Sequence, residues 1–375
     1  MRVTRVVCLC HPFTWSLACS AQPLFDEFKT GHLDEHIWCP CQIETPPVHF
    51  LPDPDDSRDR IAAIIVDKAS LGGNDCTERE RERCGTSAGA HSIRLEDVDE
   101  APESLGPSLV RPAVAGMLAR ENRFCTPEIR KRAETREEKK CIQRQELRLQ
   151  EIHRHKAVDA YWYALRFRMP EADELDRSNS IRWVTAQWKH TEVDKQTYKD
   201  WSPFLAQRFD DGVLHVTVQD EYCRCNVASA RIPSPVPPDA CQPWENWTPD
   251  RCCRSSRRGD PEGQRCENKP GIEVKYGRRP AVLPAALGRW VELKYRVQAG
   301  RSGRAVIEVC EDDRLIVRVS GNIGYKTQRG REDKTKFKIG HYRDYMPHTH
   351  VMGIDRVRIQ RAKKIIDLEA QSCSE

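Results

Sequence analysis

Between Tyr161 and Met169 the chain reads Tyr-Trp-Tyr-Ala-Leu-Arg-Phe-Arg-Met, so Tyr161, Tyr163, Leu165, Phe167 and Met169 recur at every second position. An extended strand turns alternate side chains to one side, and this spacing predicts a strand with one continuous apolar face. Similar patterns recur at 183–188, 213–218, 290–297, 305–309, 314–319 and 355–359, and Ile61 to Val66 is a short apolar run suited to a buried strand. Asp312-Asp313, between two of these segments, reads as a hairpin turn. In residues 144–150, Leu147 and Leu149 share one face while Arg144, Glu146, Arg148 and Gln150 share the other; a helix is the competing reading there. Many alternating strands with few helical patterns predict an all-β chain, an antiparallel β-sandwich with cysteine-rich loop insertions.

The 375 residues suffice for one large β domain or two smaller ones. Residues 1–21 read as a secretory signal: Arg2 and Arg5 precede a mostly apolar run, and Ala18-Cys-Ser-Ala21 is a small-residue cleavage site. An ordinary N-terminus is the alternative, since His11 and Pro12 interrupt the run. No other segment approaches the roughly 18 apolar residues of a membrane helix. Residues 22–375 are read as a single domain, with a first strand and a long connection in 22–60. Polar inserts are expected near 68–143 and 223–286. The first would end in a charged helix over 128–143 stapled by Cys125 and Cys141. The second, with six cysteines and many prolines, would interrupt the strands. Of seventeen cysteines, Cys8, Cys10 and Cys19 lie in the signal, and the even remainder suits an oxidised compartment. Zinc is the competing reading, but Cys39-Pro-Cys41 and Cys223-Arg-Cys225 lack the usual ligand spacing. The 61 basic residues face 57 acidic ones, so net charge selects no partner and no nucleic-acid-type basic block stands out.

Residues 336–342, Lys-Phe-Lys-Ile-Gly-His-Tyr, carry the strongest chemical signal. On a strand, Phe337 and Ile339 enter the core while Lys336, Lys338, Gly340 and Tyr342 share the opposite face. Gly340 there allows close ligand approach, or else marks a bulge. His341 points to the core side and reads as structural. A second strand puts Thr185, Gln187 and Lys189 on one face with Val184, Ala186 and Trp188 opposite, and a third offers Arg144 and Arg148. These donors suit carboxylates or sulfates. A solvated lysine and arginine face is the plain alternative for each strand. In a sandwich, the outward face of one sheet is a natural groove for an extended polymer.

Five segments taken in order resemble the heparin lyase I-like polysaccharide lyases, which include related glucuronan and alginate lyases. They are Arg144 to Arg148, Tyr161 to Pro170, Trp183 to Lys189, Trp290 to Val297 and Phe337 to Arg343. The resemblance spans roughly residues 22–361. It implies a jelly-roll, concanavalin-like sandwich that cleaves uronate-containing polysaccharide by β-elimination. It maps the family's lysine–tyrosine pair onto Lys338 and Tyr342, its glutamine onto Gln187 and an arginine onto Arg144. It places Lys189 where the family often has a catalytic histidine; His190 is adjacent but faces the other side.

The expected catalytic residues are therefore Tyr342, Lys338, Gln187 and Lys189. Arg144, Arg148, Lys336 and His190 are the expected substrate-binding residues. Loss of the proton at C5 of a uronate creates a dianion, so the carboxylate must first be neutralised. Arg144, Gln187 and Lys189 would bind it. Tyr342, flanked by cations such as Lys338, would take the proton and return one to the leaving oxygen. No cofactor is expected to be required, and calcium has no assignable ligands. The expected partner is an acidic polysaccharide, met by a monomer outside the cell or in the periplasm. A non-catalytic acidic-carbohydrate-binding sandwich is the alternative function.

Overall fold

The computed structural model describes residues 24–29, 36–41, 48–53, 59–66, 141–171, 182–194, 202–210, 212–231, 241–255, 271–277, 281–346 and 348–362, with a few single positions besides. Its strands, in chain order, are β1 (Leu24–Asp26), β2 (Trp38–Cys41), β3 (Val48–Pro52), β4 (Arg60–Val66), β5 (Ile142–Leu149), β6 (Tyr161–Arg168), β7 (Trp183–His190), β8 (Leu205–Asp210) and β9 (Val213–Gln219). They continue with β10 (Cys223–Ser229), β11 (Cys253–Ser255), β12 (Ile272–Tyr276), β13 (Trp290–Gln298), β14 (Gly300–Glu311), β15 (Arg314–Ile323), β16 (Thr335–Asp344) and β17 (His350–Arg361). Two antiparallel sheets result. One runs β12-β15-β14-β13-β6-β17-β4-β3, with β1 also on β17; the other runs β11-β10-β9-β8-β7-β16-β5-β2. Long crossovers seat β16 between β5 and β7, and β17 between β4 and β6. This is the expected sandwich of jelly-roll class, and residues 144–149 are strand, not helix.

The apolar faces meet in one core. Trp188 and Phe337 of one sheet lie 5.4 Å (Trp188) and 5.1 Å (Phe337) from the Tyr163 ring of the other, and Tyr295 is 5.0 Å from Trp188. This packing orients β7 and β16, so that Lys336, Lys338, Gly340 and Tyr342 leave by the outer face. Asp312 and Asp313 both adopt positive φ in the turn joining β14 to β15.

Two expectations about connections need correction. Residues 22–60 hold three short strands, not one. The stretch from 223 is not an interruption: β10 is a full strand beside β9, and β11 and β12 follow it. Buried Cys223 and Cys225 occupy core positions on β10. Cysteine there behaves as a small apolar residue, so the alternation was present but read as loop. Disulfides join Cys225 to Cys253, Cys241 to Cys252 and Cys310 to Cys373, and Cys39 and Cys141 are also oxidised. The signal segment, Cys125 and the expected charged helix, except for Lys131 and residues 141–143, lie outside the described residues.

Two buried histidines are held in the neutral form, and one of them bridges the two sheets. Trp183 Nε1 donates to His341 Nδ1 at 2.9 Å, leaving Nε2 to donate to the Ile64 carbonyl of the other sheet at 3.0 Å. His155 uses both ring nitrogens too, on the Lys156 carbonyl and the Tyr163 hydroxyl. Burial pushes the His341 pKa well below its ordinary value and that of His155 down to about 4. Between those values and the unfolded pKa of about 6.5, the unfolded chain binds more protons, so stability falls as pH drops. His155 alone accounts for up to about 3 kcal/mol of that loss. Burial raises the Asp344 carboxyl, which acts in the opposite sense as it protonates. Urea unfolding at pH 7 and pH 4.5 checks this: we expect a lower midpoint at pH 4.5, and no change would overturn the assignment of neutral buried rings.

Candidate functional site

The three strands singled out for their chemistry are neighbours, in the order β5, β16, β7. Lys338 stands opposite Arg148 on one side and Gln187 on the other; Tyr342 stands opposite Arg144 on one side and Val184 on the other. Gly340 stands opposite Glu146. Residues separated by 190 positions in the chain thus meet on one outer face.

Glu146 is the hub. Its carboxylate is 2% exposed and accepts a hydrogen bond from Gln187 Nε2. It also pairs with Lys338 Nζ at 3.4 Å and with Arg144 Nε at 3.3 Å. A buried cation is tolerable only when paired, and one carboxylate here serves two cations. Arg148, equally buried, adds a third positive charge in the same strand face, with Nη2 3.8 Å from Cys39 Sγ. Among the described residues, three cations thus surround one carboxylate on this face. Sequence reasoning saw Glu146 on the Arg144 face but did not choose it, because its burial is a tertiary property.

The cations at the phenol differ from those expected. Lys338 is engaged by Glu146, and Tyr342 instead meets two arginines. The Arg144 guanidinium lies 4.3 Å from the ring centroid and that of Arg182 lies 5.7 Å away. Arg182 Nη1 donates to Tyr342 Oη at 3.3 Å and Nε lies 3.8 Å from the Asp344 carboxylate. Burial works against the Arg182 charge, but Asp344 and Tyr342 outweigh it and hold its pKa above the ordinary arginine value. A charged donor thus points at the oxygen that would carry the proton. Arg182 precedes β7 and left no sequence signal.

Lys189 and Lys336 are partly exposed and directly opposite one another, two residues along from Gln187 and Lys338. His190 does not join them. It is buried on the other face, paired with Asp333 and packed 4.6 Å from the Phe204 ring. His341 is likewise internal. Thr185 leaves the expected row because β7 bulges between Val184 and Ala186. Its hydroxyl turns inward to Gln207, which accepts from Tyr295 Oη at 2.7 Å. Gly340 also has a different reason from ligand approach. Its φ is 135°, and a Cβ would lie 2.3 Å from the Gln145 carbonyl oxygen of β5. The residue is glycine because β16 is irregular here and lies tight against its neighbour. Among the described residues, no group of three or more His, Cys, Asp or Glu side chains is placed to hold a metal ion.

No curated protein matches the chain. Among solved structures, alginate lyase A1-II', a member of polysaccharide lyase family 7, is similar at 10% identity and a TM-score of 0.36, over 86% of this chain and 86% of its own. Alginate lyase AlyC3 is similar at 11% identity and a TM-score of 0.31, over 59% of this chain and 72% of its own. Alginate lyase PA1167 from Pseudomonas aeruginosa is similar at 13% identity and a TM-score of 0.26, over 59% and 75%. The polysaccharide lyase family profile matches residues 118–359, which take in β5 to β16 and most of β17, and the chain belongs to the polysaccharide lyase family.

Proposed function

We propose that this lyase cleaves a uronic-acid-containing polysaccharide by β-elimination on the outer face of the β5-β16-β7 strands. One observation carries the reading: three neighbouring strands bring Arg144, Gln187, Lys338 and Tyr342 together around the buried Glu146 carboxylate. The substrate carboxylate would bind against Arg144 and Gln187, with Lys189 and Lys336 beside it. Neutralised there, it can take up the charge that develops when the C5 proton leaves. Tyr342, as phenolate stabilised by the Arg182 donor, takes that proton. The C4–O4 bond breaks, a C4–C5 double bond forms, and the phenol returns a proton to the departing O4. With a lysine at position 189, one phenol and its arginines carry both transfers.

Glucuronan, alginate and glycosaminoglycans all present the required carboxylate, and a heparin lyase I-like specificity is one choice among them. The alginate lyases named above favour testing alginate first. Oxidised cysteines support an exported enzyme, and no helix among the described residues is long and apolar enough to cross a membrane. The test is a panel of these polymers incubated with purified protein, following the ultraviolet absorbance of the unsaturated product. Absorbance growth on at least one polymer is the expected result. Tight binding of an acidic polymer without product on any would favour a binding protein instead.

A further inference from the structure

The outer face of the eight-stranded sheet continues past the Tyr342 site to β8, β9, β10 and β11, and its charge changes there. Tyr342, Val184, Arg208, His215 and Ser229 occupy one straight cross-strand row. At about 4.8 Å per strand, Arg208 lies roughly 10 Å from Tyr342 along it. Arg224 and Arg254 stand directly opposite each other on β10 and β11. We infer that Arg182, Arg208, Arg224 and Arg254 form an anion subsite that takes a second acidic group, carboxylate or sulfate, from a sugar neighbouring the one cleaved at Tyr342. This rests on the lyase reading above and adds a specificity-determining site to it.

Three observations carry the inference. The first is imbalance: four guanidiniums share two carboxylates. Arg208 pairs with Asp210 at 2.7 Å and Arg182 lies 3.8 Å from Asp344, while Arg224 and Arg254 make no ion pair among the described residues. Burial and then Arg208 press the Arg224 pKa down to about 10; Asp210 offsets this in part, and Arg254 and Arg182 add to it.

The second is that the repulsion is built in. Like charges directly opposite on adjacent strands destabilise a sheet. Here the next register pair along, Cys225 and Cys253, is a disulfide, and Cys241–Cys252 secures the same short edge segment. Covalent bonds hold the two arginines face to face where electrostatics would part them.

The third is contrast within the molecule. On the nine-stranded sheet, these arginines each reach a carboxylate: Arg166 meets Asp355 at 2.6 Å, Arg318 and Arg296 share Glu308 at 2.7 and 4.0 Å, and Arg356 meets Glu292 at 2.5 Å. The surplus at Arg224 and Arg254 is local; it lies on the same outer face, with Arg224 opposite Gln219, four residues along β9 from the His215 of the Tyr342 row.

The test compares the full chain with Arg224→Gln/Arg254→Gln on heparin, chemically desulfated heparin and polyglucuronate, measuring KM and kcat from product absorbance. Losing two charge-assisted contacts should raise KM by about 10- to 100-fold with kcat within about twofold. A rise only on heparin assigns the group as sulfate; a rise on all cleaved polymers assigns carboxylate. Unchanged KM on every cleaved polymer overturns the subsite. If the unaltered protein cleaves none of them and no alginate either, the lyase reading fails on its own. Calorimetric binding of a heparin hexasaccharide then decides the subsite: weaker binding by the double variant supports it and equal binding overturns it. Should the double variant not fold, exposed Arg254→Gln alone is measured in the same way, with Arg254→Lys expected to recover part of the loss. A thermal midpoint equal to or above that of the unaltered protein is expected for Arg254→Gln, because the change relieves repulsion. A purely structural arginine would lower it.

Discussion

Tyr342→Phe is expected to cut unsaturated-product formation by about 10²- to 10⁴-fold, the range that general acid–base groups contribute. The substitution removes one oxygen and keeps the ring that stacks under Arg144. Fold and polymer binding should therefore survive, and the loss should appear in kcat while KM moves little. The partner test is Arg182→Gln, which removes the charged donor from Tyr342 Oη but leaves the phenol. Its expected loss is smaller, about 10- to 100-fold, because the phenol oxygen loses the donor that holds it in place. Full activity in Tyr342→Phe would remove this residue from the mechanism. Full activity in Arg182→Gln would mean that this donor is not needed at the phenol.

The second large effect falls on stability. Glu146→Ala leaves Arg144 and Lys338 buried with no shared carboxylate and Gln187 without its acceptor. Breaking a buried ion pair by deleting one partner costs roughly 3–5 kcal/mol. For a chain of this size that corresponds to a thermal midpoint lower by about 5 °C. Glu146→Gln retains an acceptor for Gln187 and should lose less. Because deletion removes the negative charge, sulfate at tens of millimolar should restore part of the midpoint in Glu146→Ala and do little for the unaltered protein. A midpoint unchanged in Glu146→Ala would show that the carboxylate is not the keystone its contacts suggest. In either variant kcat should fall, since the groups aimed at the substrate carboxylate are aimed by Glu146.

Much of the fold was legible along the chain because strand alternation is a local property. The apolar face of Tyr161 to Met169, the outward row of Lys336, Lys338 and Tyr342, and the turn at Asp312-Asp313 all follow from neighbours in sequence. Alternation failed where β7 bulges: one extra residue turned Thr185 inward and put Trp183 in the core, beside Phe209. It also failed on β10, where buried cysteines stood in for the expected aliphatics. Gly340 was recognised as special, and of its two readings the irregular strand, not ligand approach, is the one the backbone shows. What it avoids is the backbone of β5, a strand whose sequence lies far away.

The sequence by itself determined which residues can share a face, since that depends only on the two-residue period of a strand. It marked Lys338, Tyr342, Gln187 and Arg144 as a coherent set of donors around a phenol. Only the tertiary structure decided which faces become neighbours, because β16 reaches its place between β5 and β7 by long-range pairing. That pairing set Glu146 among three donors, exchanged Lys338 for Arg144 and Arg182 at the phenol, and turned His190 to Asp333. It also fixed how far charge is screened. The same arginine is a solvated ornament in water but a strong electrostatic element when buried, and burial is written in no single segment of the chain.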